Sequence, residues 1–153
     1  MCWGVGDVPR IAERYDPQAQ NACDVLIVED DGAIAELLET VLQAAGFRTR
    51  VAGSGHQALA AIERRRPGLV LLDLGLPGLY GASLAVALRM RWPGLSFIIV
   101  SALHPAVVAE DAWKIGAAAY FTKPFDCCEL VALVQRVLAA PRRIAVCAAS
   151  GAA

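Results

Sequence analysis

No stretch of this chain approaches the ~20 consecutive apolar residues that a membrane-spanning helix needs. Its first residues, MCWGVGDVPR, lack the basic start and apolar core of a secretory signal. Charge is scarce as well: charged residues make up 19% of the 153. The net charge of −1 gives no bulk attraction to nucleic acid or to an anionic membrane. The five cysteines include no Cys-x-x-Cys pair, and their odd number leaves one unpaired in any disulfide scheme. Adjacent Cys127 and Cys128 have no further cysteine or histidine at ligand spacing, so they read as reduced helix residues. The expectation is a cytoplasmic protein without direct nucleic-acid or membrane contact. What is plentiful is apolar: 57% of the residues, enough for one domain with a sizeable core and too much for general disorder.

Residues 1–23 are rich in Gly, Pro, Asp, Gln and Asn without periodicity and read as a flexible leader. Order is expected over residues 24–139, followed by a tail over 140–153 that is too short for a DNA-binding or enzymatic domain. DVLIVE reads as a strand buried on both faces. Ile34, Leu37, Leu38, Val41, Leu42 and Ala45 then follow helical spacing up to Gly46. FRTRVA reads as a strand in which Phe47, Thr49 and Val51 alternate against Arg48 and Arg50. Ser54 can cap a second helix, whose closing Arg64, Arg65 and Arg66 complement its dipole before Pro67-Gly68. Leu69 to Asp73 gives a third strand, residues 81–91 a third helix, LSFIIVS a fourth strand and residues 105–115 a fourth helix. AAYFTK is the fifth strand, and residues 126–139 form a fifth helix opened by Asp126 and Glu129 in capping-box spacing. Five apolar strands alternating with five helices predict a doubly wound parallel α/β sheet, whose ligand site lies outside the carboxyl ends of the strands.

That rule gathers residues far apart in the chain. The first strand ends in Glu29-Asp30-Asp31, the third in Asp73, the fourth in Ser101-Ala102 and the fifth in Thr122-Lys123-Pro124. Clustered carboxylates repel one another, and a single lysine cannot neutralise them. A hard divalent cation can: Mg²⁺ takes one or two carboxylates and keeps other positions for water and phosphate oxygens. A carboxylate beside such an ion and an ammonium is equipped to accept a phosphoryl group, with Asp73 as nucleophile, Lys123 neutralising the transferring oxygens and Ser101 donating to one of them. Helix capping accounts for Asp31 or Asp126 singly, but not for the whole set of strand ends.

Over residues 24–139 the sequence resembles the receiver domain of two-component response regulators. VLIVEDD resembles the family's acidic pair, carried by Glu29 and Asp30. LLDLGLPGLYG resembles its phosphoacceptor segment, with Asp73 as acceptor and Pro77 and Gly81 in place. IIVSA matches the switch hydroxyl and its small neighbour, Ser101 and Ala102, and YFTKPF matches the lysine segment, with Lys123 and the rotating aromatic Tyr120. The resemblance implies a flavodoxin-like, chemotaxis-regulator-like sheet of order 2-1-3-4-5. It also implies a Lys-Pro bond of the cis form and Mg²⁺ held by Glu29, Asp30, Asp73 and the Gly75 carbonyl. Asp73 would be phosphorylated by a sensor histidine kinase or histidine phosphotransfer protein. Ser101 and Tyr120 would then remodel the face of the fourth helix, fifth strand and fifth helix that binds a downstream protein. Such a domain is a signalling switch rather than a turnover enzyme.

Two departures from the family pattern stand out. Tyr80 occupies a position before the loop glycine where an acid is usual, and Ala118-Ala119 replaces an acidic pair. The second change removes charges that one DNA-binding subfamily uses for dimerisation, so that dimer is not expected. Among rival readings, a dehalogenase-like aspartyl-phosphate phosphatase needs an acid two residues after its nucleophile, where this chain has Gly75. A flavin binder needs a phosphate-cradling loop after the first strand, where EDDGA repels phosphate. A phosphorylation-independent receiver used as an interaction module retains the fold but leaves the chemical residues without a task. His56 and His104 read as surface or capping residues rather than phosphodonors.

Overall fold

The computed structural model describes residues 24–76 and 81–139. The expected leader and tail, together with Pro77 and Tyr80, fall outside the described residues. The elements are β1 (Asp24–Val28), α1 (Gly32–Ala44), β2 (Arg48–Ala52), α2 (Gly55–Arg64) and β3 (Leu69–Asp73). They continue with α3 (Gly81–Arg91), β4 (Ser96–Ser101), α4 (Pro105–Ile115), β5 (Ala119–Thr122) and α5 (Cys127–Ala139). Every residue of β1 and β3 is buried, as parallel strands covered by helices on both faces require. The five strands pair in parallel in the order β2-β1-β3-β4-β5, the order that the family resemblance implies.

The period-two alternation of the strands divides the core into two layers. Leu26, Val28, Val70, Leu72, Phe97 and Ile99 face the side covered by α2, α3 and α4. Val25, Ile27, Leu69, Leu71, Ile98 and Val100 face the side covered by α1 and α5. The starts of α1, α2, α4 and α5 are satisfied locally. The Asp31 carboxylate accepts from the Ala33 and Ile34 amides, the Ser54 hydroxyl from Gln57, His104 Nδ1 from Ala106, and the Asp126 carboxylate from Cys128 and Glu129. His104 thus serves as a cap, and His56 is exposed on the first turn of α2. Gly116 ends α4 in the left-handed region, with φ 72°.

The edge strand β2 departs from its sequence pattern. Val51 is 42% exposed, whereas Arg50 turns toward α2. The cause is Asp24, fully buried at the start of β1, whose carboxylate needs hydrogen-bonding cationic partners. Arg50 meets it at 2.9 Å and Arg65 at 3.0 Å, and Arg50 also donates to the carbonyls of Ala61 and Arg65. The arginine run at the end of α2 therefore does more than complement a dipole, because its middle member closes an ion pair with β1.

Candidate functional site

Register sets the site. Val28 pairs with Leu72, so Glu29 and Asp73 emerge level with each other at the carboxyl edge. Val100 pairs with Asp73, and Ser101 with Thr122, which brings Lys123 to the same edge. Alternation then assigns sides. Glu29, Asp73 and Lys123 continue the series that faces α1 and α5, while Ser101 and Tyr120 continue the series that faces α4. The first group forms a contiguous polar cluster.

Lys123 Nζ donates to Glu29 Oε2 at 2.7 Å and to Asp73 Oδ2 at 3.0 Å. Asp73 Oδ1 accepts from the Gly75 amide at 2.8 Å, and Glu29 Oε1 from the Asp31 amide at 3.1 Å. A Cβ on Gly75 would stand 3.3 Å from Asp73 Oδ1, a tight contact that the carboxylate relieves by a small shift. Glu29, Asp30 and Asp73 each offer a carboxylate oxygen, all within 4.8 Å of one another. Glu29 and Asp73 are buried, and Asp30 is exposed at the mouth. Hard oxygen donors at this spacing, one of them open to solvent, fit a hydrated Mg²⁺.

The electrostatics follow from burial. Desolvation pushes the Glu29 carboxyl above the usual carboxylate range, against the opposing hydrogen bond from Lys123. Burial works against the Lys123 ammonium too, but its hydrogen bonds to Glu29 and Asp73 outweigh that and hold its pKa above the ordinary lysine value. The ammonium is therefore fully charged at neutral pH.

Ser101 is buried at the end of β4, with its hydroxyl accepting from the Leu103 amide at 3.2 Å and its carbonyl accepting from the Lys123 amide at 2.8 Å. Tyr120 is 45% exposed, outside the polar cluster. Lys123-Pro124 is cis. Of the expected site residues, the structure thus joins Glu29, Asp30, Asp73 and Lys123 directly. Ser101 lies one strand over, Tyr120 on the outer surface, and Gly75 contributes its amide to Asp73. The Asp24 cluster with Arg50 and Arg65 was missed from sequence. Its signal was an unexplained acid at a strand start, with one arginine in the middle of β2 and another at the end of α2.

A parallel five-stranded α/β sheet with acids and a lysine at its carboxyl edge defines a class of aspartate-centred signalling domains. Comparison with known proteins makes the assignment specific: the response regulator receiver domain family matches residues 25–135, and the chain belongs to that family. It is 42% identical over 111 residues to the DNA-binding response regulator MtrA of Mycobacterium tuberculosis, covering 72% of this chain and 48% of that protein. It is 37% identical over 114 residues to the DNA-binding transcriptional regulator NtrC of Salmonella typhimurium, covering 74% of this chain and 24% of the relative. The chain thus spans about half the length, or less, of the curated relatives it matches. The receiver domain of NtrX from Brucella abortus superposes with a TM-score of 0.72 at 34% identity, covering 75% of this chain and 98% of that one. A CheY-like receiver domain protein from Methanospirillum hungatei superposes with a TM-score of 0.71 at 29% identity, covering 75% and 92%. Membership makes the chain a two-component signalling domain rather than a classical enzyme. No helix among the described residues is long and apolar enough to cross a membrane.

Proposed function

We propose that Asp73 accepts a phosphoryl group from a sensor histidine kinase or a histidine phosphotransfer protein, in an Mg²⁺-dependent reaction on a cytoplasmic receiver spanning residues 24–139. The observation that carries this reading is the Asp73 carboxylate, held between the Gly75 amide and Lys123 Nζ beside Glu29 and Asp30. An Asp73 oxygen attacks phosphorus. The P–O bond forms as the P–N bond to the donor imidazole breaks, and the imidazole leaves with the electron pair. Lys123, already charged, shifts from the carboxylate to the oxygens of the transferred group. Glu29 and Asp30, with Asp73 and the Gly75 carbonyl, would hold the Mg²⁺, which supplies charge neutralisation for those oxygens. Ser101 then turns its hydroxyl toward the phosphoryl group, Tyr120 moves inward, and the α4–β5–α5 face changes shape for a downstream protein.

The DNA-binding relatives are longer than the matched segment, so their contact with DNA is no guide to what this segment touches. Protein contact is the output proposed for residues 24–139. Incubation with acetyl phosphate and Mg²⁺ should add one phosphoryl group by intact mass. Asp73→Asn or EDTA should abolish the gain, and full labelling of the Asn variant would overturn the assignment.

A further inference from the structure

Both ends of α4 rest on the same face of β4, but they are held very differently. At its amino-terminal end Val108 packs into the core, and the lead-in bonds to β4 from the Leu103 amide to the Ser101 hydroxyl. At its carboxy-terminal end, Arg89 of α3 lays its guanidinium over the Phe97 ring, 5.1 Å from the centroid, and donates to the Gly116 carbonyl. The chain that follows is stitched down by the Ala117 amide to Ala112 and the Ala118 amide to Phe97. A Cβ on Gly116 would fall 2.7 Å from the Arg89 guanidinium, so that glycine provides both the left-handed turn and the seat for the arginine.

A serine hydroxyl has one proton and one position at a time. If Ser101 swings toward a phosphoryl group on Asp73, it leaves the Leu103 amide without its acceptor and frees the lead-in of α4. Nothing in that motion touches the Arg89 contacts. We propose that Arg89 is a positioning residue that fixes the carboxy-terminal end of α4, so that α4 pivots about Gly116 when Ser101 moves. The proposal rests on the acceptor role of Asp73. It concentrates the remodelled surface at exposed Leu103 and Val107, near the free end, while exposed Trp113 stays in place beside the pivot.

Hydrogen exchange on the full chain, with and without acetyl phosphate and Mg²⁺, tests this. In the wild type, phosphorylation should increase exchange over residues 103–110 and leave residues 112–118 unchanged. Arg89→Met removes both the cation over Phe97 and the donor to Gly116. It should spread the phosphorylation-dependent change into residues 112–118 by about tenfold, the scale of one charge-assisted hydrogen bond. Arg89→Lys should restore the wild-type pattern in part. A phosphorylated wild type that loosens equally at both ends, or a phosphorylated Met variant with the wild-type pattern, would overturn the pivot. Intact mass on the same samples separates the two readings, because absence of the phosphoryl gain would overturn the acceptor assignment and the pivot with it.

Discussion

The Lys123 ammonium reaches Asp73 at 3.0 Å across the full width of β4, the strand lying between β3 and β5. The same nitrogen is 2.7 Å from Glu29 on the far side of β3. One cation therefore holds two buried acids from two strand ends. Lys123→Met should leave those acids facing each other uncompensated. Its melting temperature in EDTA should fall by several degrees, and added Mg²⁺ should restore more stability to the variant than it adds to the wild type. Thermal unfolding in EDTA and in Mg²⁺ measures both effects.

Glu29 carries the opposite sign. Its carboxyl is raised in the folded state, chiefly by burial, so the fold favours its neutral form. That contribution is full below the unfolded pKa and is lost as pH rises through the raised folded value. Once ionised, Glu29 costs the fold stability in the absence of a divalent ion. Glu29→Gln should therefore melt higher than the wild type in EDTA at a pH above the raised pKa. The gap should close as pH falls through the raised pKa, and the variant should bind Mg²⁺ more weakly. Melting curves in EDTA between pH 7 and pH 4 check the sign.

Phosphate lifetime should be long. In receivers, the positions two beyond the acceptor and two beyond the switch hydroxyl flank the approach of the hydrolytic water, and here they are Gly75 and Leu103. Neither side chain can orient a water, and Leu103 is exposed at the edge of the site. Gly75→Asn with Leu103→Glu should speed decay by about an order of magnitude, equivalent to ~1.4 kcal/mol of barrier. The Cβ introduced at Gly75 meets Asp73 Oδ1 at 3.3 Å, so the carboxylate must give slightly. Decay of the phosphorylated mass after donor removal gives the rate, and loss of the wild-type phosphate within seconds would refute the prediction.

At the opposite edge, Asp24→Ala should destabilise the fold by about 2–3 kcal/mol. This is below the usual penalty for breaking a buried pair, because the stranded Arg50 and Arg65 side chains are 28% and 43% exposed and can turn to water. Urea unfolding should show a lower midpoint with an unchanged slope, and phosphorylation of the folded variant should be unaffected.

The candidate site was legible because one geometric rule, ligands at the carboxyl ends of parallel strands, brings together residues as distant in sequence as Glu29 and Lys123. The layers of the core were legible for β1, β3 and β4, where every residue faces a helix. β2 was read as an alternating strand with no buried face assigned. Phe47 of its apolar set packs against the core while Val51 is exposed, because an edge strand is only half covered, and the demand of Asp24 for a cation decided which way Arg50 turned. Ion pairs between residues 26 and 41 positions apart leave no periodic trace in the sequence. The Arg89 seat on Gly116 was hidden for the same reason: it joins two helix ends that only the folded sheet brings together.

Alternate residues at the same strand ends look out on opposite sides of the sheet, with Glu29, Asp73 and Lys123 on one and Ser101 and Tyr120 on the other. The sheet is thus a partition with two rooms and one shared threshold at β4. Under the proposed function, a phosphoryl group arrives at Asp73 on one side, and its effect crosses to the other through Ser101.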